Sequence, residues 1–133
     1  MGVSRTIGVA IWCLAGLCAG CAFDVVRLKQ SPAQYEAVPA TGRTWILNDD
    51  LKVALVSGWA TSLKKGTNWR QVGKIKEGDV ITTGNQIVTV EASNLFEAYP
   101  VVDGGKVVGF FLPVEKSFTP ADPPASIDLR LKE

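Results

Sequence analysis

The chain has 133 residues, 14 Lys and Arg against 13 Asp and Glu, and a formal net charge of +1, which allows one hydrophobic core and not two. Near-neutral charge excludes a polybasic nucleic-acid binder. The absence of histidine removes the commonest general base and metal ligand, and with them His-based triads and Cys-His zinc sites.

Residues 1–5 carry one positive charge at Arg5, residues 7–17 (IGVAIWCLAGL) are an apolar run, and Cys18, Ala19, Gly20 and Cys21 follow. A charged start, an apolar stretch and small residues at the cut are the parts of a secretory signal. Ala19-Gly20-Cys21 resembles the end of a bacterial lipoprotein signal, in which small residues precede a cysteine that is acylated on sulfur and becomes the first mature residue. Cys18 stands where that pattern usually has Leu, and Leu17 lies one place earlier. The resemblance implies a removed signal peptide over residues 1–20 and lipidation at Cys21 with palmitate-type chains. The alternative is an uncleaved membrane helix, for which residues 7–23 are at the short end of the spanning range and contain three glycines.

All cysteines lie at positions 13, 18 and 21, so a disulfide framework is excluded after Cys21, and a single lipid-blocked thiol suits an oxidising envelope. Loss of the signal takes Arg5 with it and leaves 13 basic against 13 acidic side chains, with no net attraction to acidic lipid. The resemblance implies a diacylglyceryl group plus an amide-linked chain, a stable anchor where one chain is not. Ala22, rather than an Asp, directly after Cys21 points within the resemblance to the outer membrane, facing the periplasm.

Residues 21–43 contain Pro32, Pro39 and Gly42 and show no sustained period, which predicts a lipidated tether. Some twenty flexible residues would hold a domain roughly 25 Å from the bilayer. Residues 24–30 are alternatively a first strand, and residues 31–38 a turn of helix.

Residues 44–118 read as short β-rich runs at 44–47, 51–57, 69–76, 80–83, 86–92, 95–102 and 106–114. The turns between them hold Asn48-Asp49-Asp50, Lys64-Lys65-Gly66, Glu77-Gly78-Asp79, Gly84-Asn85 and Asp103-Gly104-Gly105. The last is the strongest hairpin signal. Leu51, Val53 and Leu55 alternate with Lys52 and define an inward face. This pattern predicts an all-β domain, an SH3-like or related partly open antiparallel barrel of about six or seven short strands.

Val107, Val108, Phe110, Phe111, Leu112 and Val114 place apolar side chains on both faces of one strand. Either that strand is covered on both sides or one face is a contact surface. Residues 119–124 (TPADPP) read as a stiff spacer unable to continue a ladder. Ile127, Leu129 and Leu131 then alternate with Asp128, Arg130 and Lys132, a final strand packed on its own domain or donated to a neighbour.

The remaining acid-base groups are Asp49 with Asp50, Glu77 with Asp79, and Glu91 with Glu97. Glu91 and Glu97 could meet across a hairpin as a glycosidase pair, but a small barrel offers little cleft and solvated turn carboxylates are the simpler account. No calcium-loop spacing, Gly-rich phosphate loop or diagnostic Ser-Lys context around Ser57, Lys64 and Lys65 occurs, so no enzyme activity, metal or other cofactor is expected. The candidate contact residues are Trp59, Lys64, Lys65 and Trp69 around one loop, and Ile127, Leu129 and Leu131 on the tail. Against this, at least two of the indoles Trp45, Trp59 and Trp69 are expected in the core.

Address and elimination together predict a lipid-anchored, non-enzymatic accessory or scaffold subunit of the bacterial envelope that binds another envelope protein. A module for peptidoglycan or another cell-wall ligand is the alternative. A hydrolase inhibitor ranks third.

Overall fold

The computed structural model describes residues 28–92 and 94–132. The signal-like segment, Cys21 and residues 24–27 of the alternative first strand lie outside them. Among the described residues the chain is all-β and antiparallel, with no helix. Strands β1 (Ser31–Pro32), β2 (Glu36–Ala37), β3 (Trp45–Leu47), β4 (Leu51–Ala54), β5 (Ala60–Leu63), β6 (Asn68–Ile75) and β7 (Gly78–Thr82) come first. Strands β8 (Thr89–Glu91), β9 (Leu95–Glu97), β10 (Tyr99–Asp103), β11 (Lys106–Leu112), β12 (Ser117–Ser126) and β13 (Leu129–Leu131) complete the chain. Among the described residues there are thus thirteen strands rather than six or seven, because the run 95–102 divides at Ala98, the tail adds β13, and four further segments, β1, β2, β5 and β12, also pair.

Nine strands form one sheet in the order β1-β12-β11-β10-β7-β6-β3-β13, with β2 also beside β6; β4-β5 and β8-β9 are separate hairpins. Asp103 faces Lys106 across the two-residue loop Gly104-Gly105, whose φ values of 57° and 74° give the turn that the Asp-Gly-Gly signal predicts. The inward face of β4 is as read: Val53 and Leu55 are buried and Lys52 is exposed.

Two bulges decide which face each apolar residue takes. Val72 is the extra residue between Gln71 and Gly73 on β6, and Val108 between Val107 and Gly109 on β11. An extra residue reverses the alternation beyond it. Trp69 and Ile75 are therefore in different clusters although they are an even number of places apart, and so are Val107 and Phe111. One cluster joins Trp69, Ile81, Val107, Phe110 and Leu112 to Val53, Leu55 and Leu63 of the first hairpin and Val90 of the second. The other joins Ile75, Val80, Val101, Phe111 and Phe118 on the opposite face. The doubly apolar β11 is thus covered on both sides.

The second face is covered by the segment read as a tether. Ser31 and Pro32 pair with Phe118 and Ser117 of β12, and Glu36 and Ala37 pair with Lys74 and Gly73 of β6. Ala33 packs on the second cluster between these two pairings, and Leu28 packs on the first. No turn of helix forms over residues 31–38. Only residues 33–35 link β1 to β2, so β12 and β6 must curl to within the reach of a few residues, at about 3.3–3.6 Å each. The sheet approaches a barrel that the short lead-in spans without closing the ladder.

The proline run is also in the sheet. Gly109 faces Pro120 and Val107 faces Ala125, so residues 121–124 have no partner on β11; Ala121 stays buried against Leu55, while residues 122–124 are exposed opposite Val108. Pro123 and Pro124 are tolerated there because no ladder donor is required of them. β13 pairs with β3, Leu129 opposite Leu47 and Leu131 opposite Trp45, so the tail packs on its own domain.

Candidate functional site

The Trp-Lys loop does not assemble into one site. Trp69 is fully buried, and its indole N–H donates to Thr67 Oγ1 at 2.7 Å. Its position opposite Trp45 in the β3-β6 ladder, on the core side of β6, makes it a packing residue and not a surface contact. Trp59 is exposed at the tip of the β4-β5 hairpin, while Lys64 and Lys65 lie beyond the far end of β5. Five residue steps of strand separate Trp59 from Lys64, about 16 Å. Trp45 is half-buried, so one of the three indoles is core rather than two.

The lysine loop is pinned by its backbone. Lys64 N–H donates to Gln86 Oε1 at 2.8 Å and Lys65 N–H to Asp50 Oδ1 at 2.7 Å, which gives Asp50 a structural role. Both lysine side chains are exposed. On the tail, Ile127 and Leu129 pack against the main cluster, and Leu131 is about half exposed at the sheet end.

Glu91 and Glu97 do not sit directly opposite one another. Glu91 faces Leu95 and Glu97 faces Thr89, so the two glutamates are offset by two positions along the β8-β9 ladder, and both are exposed. Among the described residues no group of three His, Cys, Asp or Glu is placed to hold a metal ion.

The concave surface lies elsewhere, over the second cluster. A groove of about 620 Å³ is lined by Ala33, Gln34, Tyr35, Tyr99, Phe111, Pro113 and Lys116. Tyr35 stacks on Phe111 with ring centroids 4.9 Å apart and planes 12° from parallel, and its hydroxyl donates to Val72 O at 2.8 Å. These contacts fix a ring that is 40% exposed. Tyr99 forms the wall between this groove and a second depression of about 230 Å³, lined by Glu97, Pro100, Gln86 and Ile87 among others. Its hydroxyl donates to Glu97 Oε1 at 3.2 Å. Burial and, after it, the Glu97 carboxylate hold the Tyr99 phenol above its ordinary value of 10.0. Tyr99 is therefore a neutral donor at physiological pH.

Sequence reasoning missed Tyr35, Tyr99 and Pro113. The signal that pointed towards them was the apolar pattern on both faces of residues 106–114, which needed a cover that the fold draws from the lead-in. Comparison with protein-family models, with curated proteins and with solved structures finds no match.

Proposed function

We propose that this chain is a lipid-anchored accessory subunit of the bacterial envelope, facing the periplasm from the outer membrane, that binds a segment of another envelope protein in the Tyr35-Tyr99-Phe111 groove. The observation that carries the reading is the exposed Tyr35 ring, immobilised by its stack on Phe111 and its bond to Val72. A fixed aromatic surface binds an apolar segment with little ordering cost. Pro113 extends the apolar wall, while Gln34 and Lys116 supply polar ends for orientation. The address rests on Ala19-Gly20-Cys21, and nothing in the groove assembles an acid-base pair.

The test is in-cell cross-linking of the full-length protein, followed by affinity capture and mass spectrometry of partner and bait. The expected result is one envelope protein at near-stoichiometric yield, lost in Gln34→Arg, which blocks the groove from an exposed position outside the core. Capture of the bait alone would reject the stable-subunit reading.

A cell-wall ligand is the second reading, favoured by the combination of aromatic faces with the Gln34 amide and Lys116 ammonium that also suits a glycan-peptide chain. Co-sedimentation with purified peptidoglycan, abolished by Gln34→Arg, would select it.

A further inference from the structure

Among the described residues, nothing covers the apolar tip in which the β4-β5 hairpin ends. Val56 is 51% exposed and Trp59 39% exposed. The tip is rigid: Leu55 N–H donates to Trp59 O at 2.8 Å, Gly58 N–H donates to Leu55 O at 2.9 Å, and Gly58 takes the left-handed φ of 89° that the turn needs. Residues 53–63 (VALVSGWATSL) contain no charged side chain, and Lys52 and Lys64 flank them.

The tip also stands where the chain enters the domain. β12 pairs with β11 along one edge, Ser31 pairs with its Phe118, and Leu55 bridges to its Ala121. Three residue steps separate these two points on β12, about 10 Å. β1 and the end of β4 are both antiparallel to β12, so the hairpin tip lies along the same stretch of β12 as the start of β1. Leu28 packs on the cluster that holds Leu55 and Ala121. From Leu28 back to Cys21 is seven residue steps, at most about 25 Å of chain.

We propose that the Val56 and Trp59 tip is a second, non-covalent membrane contact, inserted into the interface of the bilayer that holds Cys21. This rests on the lipid-anchor reading. A short chain from the anchor keeps the entry side of the domain against the membrane. An uncharged hairpin end carrying Trp, an interfacial residue, with lysines set back from it, matches the headgroup boundary. The two attachments together fix the orientation of the domain on the bilayer and leave the Tyr35 groove a set direction in which to meet a partner.

The test uses the full-length protein in vesicles of phosphatidylethanolamine and phosphatidylglycerol, with and without brominated acyl chains, and mass spectrometry of the N-terminal peptide of the same sample. The expected result is quenching of tryptophan emission by the brominated lipid that is lost in Trp59→Phe and reduced in Ser57→Asp, which places a charge at the tip. Both positions are exposed, and unchanged circular dichroism checks the fold. Lipidation at Cys21 with no quenching, or with quenching unaffected by Trp59→Phe, overturns the tip contact and leaves the anchor standing. An N-terminal peptide without lipid at Cys21 overturns both.

Discussion

Tyr35 occupies the space that a side chain at position 73 would need: a Cβ built on Gly73 overlaps the edge of the Tyr35 ring. The glycine lies directly after the bulge residue Val72, whose carbonyl accepts the Tyr35 hydroxyl. Besides the β2 ladder, the lead-in is thus joined to β6 by an aromatic side chain laid over bare backbone, the arrangement that lets a ring replace the packing a sheet glycine lacks. Gly109 and Phe118 repeat it beside the second bulge.

Gly73→Ala is expected to displace Tyr35 and to destabilise the domain by about 1–3 kcal/mol, the usual range for overfilling a packed site. Tyr35→Ala in the Gly73→Ala background should cost less than the sum of the two single changes, because both remove the same contact. Gly109→Ala should be the more severe glycine change, since it meets the Thr119 carbonyl oxygen as well as the Phe118 ring. Chemical denaturation followed by circular dichroism measures all four variants.

Trp69→Ala is expected to cost about 3–5 kcal/mol, as for other buried tryptophans, and to act on folding rather than on recognition. Trp69→Phe should cost less. It removes the N–H donated to Thr67 Oγ1, while the Thr67 hydroxyl keeps its own bond to Lys64 O at 2.6 Å. Urea midpoints at constant m separate the two.

On the tail, Leu129→Asp places a carboxylate against the main cluster and should lower stability by about 1–3 kcal/mol. Leu131→Asp, at a side chain about half exposed, should stay within about 0.5 kcal/mol. Equal melting temperatures for the two variants would contradict the packing of β13 on β3.

Titration of phenolate absorbance should show Tyr99 ionising above its ordinary 10.0. Glu97→Gln should bring that step down, and Tyr99→Phe should abolish it. Because the folded state holds this proton more tightly than the unfolded chain, stability is unaffected below about pH 10 and falls as pH rises through the folded value. The alkaline limb of the unfolding profile should therefore be shallower in Tyr99→Phe.

The strands that were legible in the sequence are those whose side chains alternate between turn residues, such as Leu51–Ala54 and the pair around Gly104-Gly105. β5 was not, because Ala60, Thr61, Ser62 and Leu63 carry a weak alternation. β12 was hidden by prolines that forbid a regular ladder but are accommodated in an outward loop. The groove was legible only as the apolar pattern on both faces of residues 106–114, since Tyr35 and Phe111 are 76 positions apart and meet only through the curl of the sheet.

By itself, the amino-acid sequence determined the all-β class, the hairpin at Gly104-Gly105, the inward face of β4, the absence of histidine and the absence of cysteine after Cys21, because each follows from local stereochemistry or from composition. Only the tertiary structure decided which indole is core, that the lead-in and the proline run belong to the sheet, and that the tail packs at home. The division of the apolar residues of β6 and β11 between the two clusters depends on two one-residue bulges, at Val72 and Val108, which exchange the faces of those strands. A bulge is set by the partners on either side of a strand, and those partners are distant in sequence.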